Sequence, residues 1–273
     1  MDVAYLGPEG TYSHLVAEKR YGTGAHLIPL PTIREVFVFV ADKPSRRGVV
    51  PIENSSGGAI YETVDILLAN LPAACITEEL WLDVRLALLG HKGEKIKTLY
   101  SHFAPLEHCA TWLRKNLPRA ERHVVGSTAI AAQMATGDRH SAALGSRRLA
   151  GLWGLDVLEY PVQADVPNQT VFLAIGGRRI MQPKSTKLTL AVRLPNTPGS
   201  LCTFLETFRN ENVNLSRLIS RPIRGCPREY AFLVDIDGSP TEAHVKWALG
   251  HARKASVELR IAGAYPVRKP YSS

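Results

Sequence analysis

The chain has 273 residues, 45% hydrophobic and 21% charged, which fits one large or two ordinary globular domains and excludes a wholly disordered or collagen-like chain. It contains no apolar run of about 18 residues, so no transmembrane span is expected, and Met1 to Leu6 has neither the basic nor the apolar region of a secretion signal. The net charge of +8 is uneven: residues 184–273 carry 14 Lys and Arg against 7 Asp and Glu, and residues 1–183 carry 19 against 18. The C-terminal cations Arg217, Arg221, Arg224, Arg228, Arg253, Lys254 and Arg260 are spread out without interleaved aromatics. They read as a solvated basic surface rather than a nucleic-acid face. Cys75, Cys109, Cys202 and Cys226 form no C-x-x-C pair, which argues against a zinc site or disulfide framework and for reduced thiols in a cytoplasmic protein.

Taken in chain order, Val3 to Leu6 is a short strand broken by Gly7-Pro8-Glu9-Gly10, and Thr11 or Ser13 can cap a helix running to about Tyr21. A strand at 27–30, a helix at 32–40 and a buried strand from Arg47 to Ile52 follow, then the polar loop Glu53-Asn54-Ser55-Ser56-Gly57-Gly58 and a helix from Ile60 to Leu68. Ala74 to Gly90 reads as one long strand region, Thr98 to Tyr100 as a strand opening into Ser101-His102, and Leu106 to Asn116 as a helix. Strand His123 to Val125, a helix capped by Ser127-Thr128, strand Ser141 to Leu144, a helix from Ser146 to Ala150 and strand Gln169 to Ile175 complete the first part. Strands alternating with helices predict α/β layering on a mostly parallel sheet, with ligands at the loops beyond the strand ends. The loops at 7–13, 53–58, 101–102 and 127–128 are therefore the candidate site, and the caps there offer backbone N–H groups to anions.

Gly176 to Ser185 is a polar Gly/Pro-containing linker. Beyond it the order is strand Lys187 to Leu194, turn 195–199, helix Ser200 to Glu211, strands Val213 to Arg221 and Tyr230 to Asp237, helix Thr241 to Lys254 and strand Val257 to Ala262. That βαββαβ order is a ferredoxin-like unit with helices on one face of its sheet. The other face needs cover, which predicts docking or pairing with a second copy.

A set of motifs in order carries a resemblance. Gly7-Pro8-Glu9-Gly10-Thr11-Tyr12-Ser13, Pro51-Ile52-Glu53-Asn54, Ser101 through Cys109, Ser127-Thr128-Ala129, Ala142 to Ser146 and Asn168-Gln169-Thr170-Val171-Phe172 together resemble the prephenate dehydratase family over about residues 2–176. Pro198-Gly199-Ser200-Leu201 and Ser220-Arg221-Pro222 resemble the P-G-A-L turn and E-S-R-P motif of the ACT domain, an amino-acid-sensing module. The resemblance implies an α/β fold with a two-subdomain, periplasmic-binding-protein-like catalytic domain over 1–180. Subdomain 1 would span about 1–76 and 165–180, subdomain 2 about 77–164, and the ACT domain 186–264. It implies conversion of prephenate to phenylpyruvate, water and CO2 with no metal or organic cofactor, and L-phenylalanine as effector of a homodimer or homotetramer, without nucleic-acid or membrane partners.

By the same resemblance Thr170 assists the leaving hydroxide as a hydrogen-bond donor, since a threonine is no acid near neutral pH. Asn54 and Ser55 orient the ring carboxylate or hydroxyl, while Thr11, Ser13, Ser101, Ser127, Thr128 and Phe172 surround the substrate. Glu53 reads as a capping carboxylate rather than a base. Pro198, Gly199, Ser200, Leu201, Ser220, Arg221 and Pro222 would bind the effector. The chain departs from the family pattern at Val171 for its Arg, His108 for its Gln, Phe103-Ala104 for the commoner Pro-Gln, Ser200 for the Ala of P-G-A-L and Ile219 for the Glu of E-S-R-P. His108 can replace the glutamine's hydrogen bond or supply an acid. Because Val171 and His108 touch the leaving-group apparatus, a non-aromatising prephenate decarboxylase is the alternative enzyme, and a non-catalytic amino-acid sensor the alternative of another class.

Overall fold

A computed structural model describes residues 1–69, 74–177, 181–182, 184–223 and 225–273. Residues 178–180 and 183 of the expected linker, and Arg224, lie outside the described residues. The elements run β1 (Asp2–Leu6), α1 (Tyr12–Tyr21), β2 (His26–Leu30), α2 (Ile33–Asp42), β3 (Arg47–Asn54), β4 (Gly58–Ala59), α3 (Tyr61–Leu68), β5 (Cys75–Asp83), β6 (Ala87–Gly90), β7 (Thr98–Ser101), α4 (Phe103–His108), α5 (Ala110–Asn116) and β8 (Glu121–Val124). They continue with α6 (Thr128–Ala135), β9 (Ser141–Gly145), α7 (Leu149–Trp153), β10 (Asp156–Glu159), β11 (Gln169–Gly176), β12 (Lys187–Arg193), α8 (Ser200–Asn210), β13 (Leu215–Pro222), β14 (Tyr230–Asp237), α9 (Ala243–Lys254), β15 (Glu258–Tyr265) and β16 (Tyr271–Ser272).

Three sheets result. The first has the order β16-β5-β11-β3-β1-β2 with β4 on β3; the second is β10-β6-β9-β7-β8; the third is β13-β14-β12-β15. Neither of the first two is the mostly parallel sheet that the alternation predicts. Strand β11 runs antiparallel to both β3 and β5, and β6 runs antiparallel to both β9 and β10. The reason is topological: β5 leaves the first sheet, the chain builds the second, and β11 returns in the opposite sense. The predicted long strand at 74–90 is broken at Val84-Arg85-Leu86, where the chain crosses between sheets. The predicted 106–116 helix starts earlier and is two helices, interrupted at Cys109, whose φ of −111° is not helical. The helix expected at 146–150 starts later, at Leu149.

Alternation along the central strands divides the core. Phe172 and Ala174 of β11 pack with Leu80 and Leu82 in a core that also takes in Leu86, Leu88, Leu99 and Leu144 of the second sheet's lobe. Val171, Leu173 and Ile175 point the other way, to Ile33, Val36, Phe37 and Val64 of α2 and α3 and to Leu233, Ala262 and Tyr265 of the third sheet. The C-terminal unit has its own core, in which Leu188, Leu190, Val234 and Ile236 meet Phe204, Phe208, Val245 and Leu249 of α8 and α9.

The helix-free face of the third sheet is therefore not waiting for a second copy. The same chain covers it. Gly263 lies so near β5 that a Cβ there would stand 2.5 Å from the Ile76 carbonyl oxygen, a close approach that only glycine allows. This docking also corrects the reading of the C-terminal cations as a solvated surface. Arg217 pairs with Glu53 and Asp235, Arg221 with Asp65, and Arg260 donates to the Leu67 carbonyl. Strand β13 presents Arg217, Ile219 and Arg221 to the first sheet's lobe, while Ser216, Leu218, Ser220 and Pro222 alternate outward and are exposed.

Candidate active site

The antiparallel pairing of β3 and β11 sets Thr170 directly opposite Asn54. Asn54 Nδ2 donates to Thr170 Oγ1 at 2.9 Å and to Asn168 Oδ1 at 3.1 Å. Its Oδ1 accepts from the backbone N–H groups of Ser56 and Gly57, both at 3.0 Å. With Gln169 O also 3.4 Å from Nδ2, donors on one side and acceptors on the other fix the orientation of this amide. Since Asn54 donates to Thr170, the threonine oxygen is an acceptor in that bond and keeps its own proton for another group.

Ser55 stitches the same junction. Its N–H donates to Gln169 O at 2.9 Å, its hydroxyl donates to Pro167 O at 3.1 Å, and it accepts from Gln169 N–H at 3.0 Å. Asn54, Ser55 and Thr170 are thus brought together. Ser55, with its hydroxyl proton and one lone pair engaged by backbone, holds the loop.

The second lobe reaches this loop through His108, which is only 2% exposed. Its imidazole lies in hydrogen-bond contact with Ser56 Oγ. Burial holds the imidazole below its ordinary pKa, only partly opposed by Glu107 and Asp165, so near neutral pH His108 is uncharged and is no ready acid. Further contacts span the lobes: Arg148 pairs with Glu18, and Tyr12 donates to the Arg85 carbonyl at 3.4 Å. Gly10, at φ +84°, lets the 7–13 loop sit against α7, where a Cβ would come within 2.5 Å of Leu149 Cδ2.

Two helix N-termini carry the expected caps. Thr11 Oγ1 accepts from His14 N at 3.3 Å and donates to Leu6 O at 3.0 Å, and Ser127 Oγ accepts from Ile130 N at 3.1 Å. His14, stacked on Tyr5 with ring centroids 4.8 Å apart, accepts from Gly10 N through Nδ1 at 3.1 Å. That bond requires a neutral ring, and burial and Arg148 depress the His14 pKa in agreement. His102 likewise accepts from Ala104 N at the start of α4, with its pKa lowered by burial.

Other expected site residues sit elsewhere. Ser101 is fully buried and donates to the His102 carbonyl at 2.9 Å, so its hydroxyl is not turned to the Asn54–Thr170 cluster. Ser13 is buried within α1 and Phe172 is a core side chain on the Thr170 face of β11. Thr128 opens α6 beside Gly145. Glu53 caps no helix: it lies opposite Val171 on the far face of the sheet, where its Oε2 accepts from Arg217 Nε at 2.9 Å.

The expected effector residues are separated by the docking. Gly199, left-handed at φ +84°, precedes α8, and Thr197 and Ser200 hydroxyls lie 2.7 Å apart there, with Pro198 exposed and Leu201 in the first turn. Ser220 and Pro222 face outward, while Arg221 turns inward onto Asp65 at 2.6 and 2.9 Å and over the Tyr61 ring at 4.4 Å. Sequence reasoning missed Ser56, Asn168 and Arg217. The first two stand inside quoted motifs and were legible as loop hydroxyl and amide. Arg217 carried no signal, because its partners lie up to 164 residues away.

Residues 3–179 match the model of prephenate dehydratase. The chain belongs to the prephenate dehydratase family. It is 35% identical over 266 residues to a bifunctional chorismate mutase/prephenate dehydratase of Aquifex aeolicus, covering 97% of this chain and 73% of that one. The crystal structure of a prephenate dehydratase from Arthrobacter aurescens in complex with L-Phe superposes with a TM-score of 0.89 at 28% identity, covering 97% of this chain and 90% of that one. GqqA, described as a novel type of quorum quenching acylase, shares the fold with a TM-score of 0.87 at 26% identity and 98% of both chains.

Proposed function

We infer that this chain is a prephenate dehydratase, a carbon–oxygen lyase. The observation that carries this reading is the Asn54–Thr170 hydrogen bond, in a family member whose T-x-F segment sits opposite its E-N loop. In the reaction the electron pair of the bond to the ring carboxylate moves into the ring as CO2 departs, and the ring expels its hydroxyl with its bonding pair. That oxygen must be met by a hydrogen-bond donor as charge develops on it; it leaves as hydroxide and takes the proton that makes it water from solvent. Thr170, with its proton left free by Asn54, is the donor. The α1 and α6 N-termini, capped by Thr11 and Ser127, turn first-turn backbone N–H groups to the two substrate carboxylates. His108, neutral and bound to Ser56, holds the loop closed, the first of the two roles its sequence position allowed.

The C-terminal unit acts as an ACT-type module that binds L-phenylalanine near Pro198 to Leu201, with Ser220 and Pro222 on the outward face. Because the helix-free face is already covered, pairing into a homodimer or homotetramer proceeds through the exposed side of β13, where Leu218 stands open. Four unpaired cysteines fit the cytoplasm, and no described helix is long and apolar enough to cross a membrane.

The test is incubation with prephenate while phenylpyruvate absorbance and CO2 release are followed together. Both signals are expected. CO2 alone would replace this reading with a non-aromatising decarboxylase, and neither would leave an amino-acid sensor. Calorimetry with L-phenylalanine and light scattering on the full chain test the regulatory part, and no heat of binding would leave the C-terminal unit purely structural.

A further inference from the structure

Asn54 and Glu53 are neighbours in β3 and point to opposite faces of the sheet. Asn54 faces Thr170, and Glu53 faces the C-terminal unit. The residue opposite Glu53, Val171, offers its carboxylate no partner. The cation comes instead from β13. Arg217 Nε donates to Glu53 Oε2 at 2.9 Å, while its Nη1 meets Asp235 and lies 3.6 Å from Glu79 Oε2.

This guanidinium is held, not merely attracted. Its side chain is 9% exposed, and Asp235 and Glu79 are fully buried. Asp235 accepts from Thr189 Oγ1 at 2.6 Å, and Thr189 in turn lies 2.6 Å from the Tyr265 hydroxyl. Glu79 accepts from Lys187 Nζ at 2.8 Å and Trp81 Nε1 at 2.9 Å. Glu79 Oε2 is buried without a hydrogen bond and has Arg217 Nη1 as its cation at 3.6 Å; an unpaired buried charge is costly, so moving the guanidinium away from these acids is disfavoured.

We propose that Arg217 is a positioning residue of the dehydratase site: from the C-terminal sheet it anchors Glu53 and so holds the Asn54–Gly57 loop in register with Thr170. The inference rests on the activity proposed above. A displacement of about 1 Å at a reacting group can cost about 10²-fold in rate, so a cation in one unit sets the geometry of a hydrogen bond in the other.

The test uses the full chain and three variants: Arg217→Met, Glu53→Gln and Arg260→Met. Arg260 also crosses between the two units, onto the Leu67 carbonyl, but does not reach the loop. Arg217→Met is expected to lower kcat by about 10- to 100-fold with KM within about threefold. Amide hydrogen exchange at Ser56 and Gly57, which donate to Asn54, is expected to speed up in the same variant. Arg260→Met should leave both readouts at the parent values. Glu53→Gln should lower kcat in the same direction, and combining it with Arg217→Met should add little.

Unchanged kcat and unchanged exchange in Arg217→Met would overturn the proposal. So would an equal kcat loss in Arg260→Met, which would reduce Arg217 to general docking. If Arg217→Met does not fold, Glu53→Gln decides, and a kcat within about threefold of the parent then refutes the role. A parent without phenylpyruvate formation would sink the functional reading instead, and the exchange rates at Ser56 and Gly57 would still decide the positioning.

Discussion

Asn54→Asp is the sharpest perturbation of the site, because it replaces one amide nitrogen by oxygen and reverses one hydrogen bond. The carboxylate keeps an oxygen for the N–H groups of Ser56 and Gly57, both at 3.0 Å, so the loop turn survives. What it loses are the donations to Thr170 Oγ1 at 2.9 Å and Asn168 Oδ1 at 3.1 Å. Two lost donors cost about 1 kcal/mol each in net stability, so the fold should weaken by about 2 kcal/mol and persist. The effect on rate is larger, for a directional reason. With an acceptor in place of a donor, the Thr170 proton turns to the new carboxylate and away from the leaving hydroxyl. Removing one donor from a developing oxyanion costs about 10²–10³ in kcat. The added negative charge also faces a doubly charged substrate, so KM rises as well. The assay is steady-state phenylpyruvate formation, with circular dichroism melting to verify the fold. A folded Asn54→Asp protein turning over within about threefold of the parent would refute the assigned direction of the Asn54–Thr170 bond.

The same geometry sets further expectations. Thr170→Ala should lose about 10²–10³ in kcat with a small change in KM, while Thr170→Ser, which keeps the hydroxyl, should retain most of the rate; near-normal turnover of the alanine variant would remove Thr170 from the chemistry. His108→Gln should keep most activity but flatten the acid limb of the pH–rate profile, because burial lowers the His108 pKa and the ring gains its charge only on the acid side. Profiles that coincide would show that His108 does not titrate in turnover. For stability, His14, His102 and His108 all have folded pKa values below the unfolded one. Their stabilisation is therefore complete above the unfolded value of about 6.5 and is lost as pH falls through it toward the folded values. Melting temperature should decline from pH 7 to pH 5, and a flat curve in a His14→Gln, His102→Gln, His108→Gln triple variant would assign the decline to these three. Truncation near Ser185 should cost far more than an effector site. It removes β16 from β5 and uncovers the Val171, Leu173 and Ile175 face, and a shortened chain that melts like the parent would contradict the docking.

The legible parts of this protein are those fixed by neighbours in sequence. Helix caps at Thr11 and Ser127, the Asn54 turn and the face of Thr170 follow from side chains acting on backbone within a few residues, or from strand alternation. The ferredoxin-like order of the C-terminal unit was legible for the same reason. What could not be read depends on distant partners. The return of β11 against β3 follows from where the chain re-enters a sheet, not from any property of its residues. The break at Cys109 interrupts an apolar pattern that by itself continues. Ser101 had the right residue type in the right motif, yet its hydroxyl is satisfied by the next carbonyl.

The cations of β13 make the limit concrete. Arg217, Ile219 and Arg221 share one face of a strand, and two arginines on a strand face ordinarily mean water. Here they mean an interface, because Glu53, Asp65 and Glu79 approach from elements more than 130 residues earlier. The unit needs cover on that face, and those acids supply it with ion pairs rather than apolar packing alone. A face closed in this way is specific, since Arg217 must find its carboxylates or bear an unpaired buried charge. It also joins the two units through single peptide units. Glu53 and Asn54 are adjacent, as are Thr170 and Val171, and in each pair one residue lies in the Asn54–Thr170 contact and the other faces the C-terminal unit. Any shift of the third sheet that moves Arg217 must therefore act on Glu53, and one residue further on it meets the amide that holds Thr170.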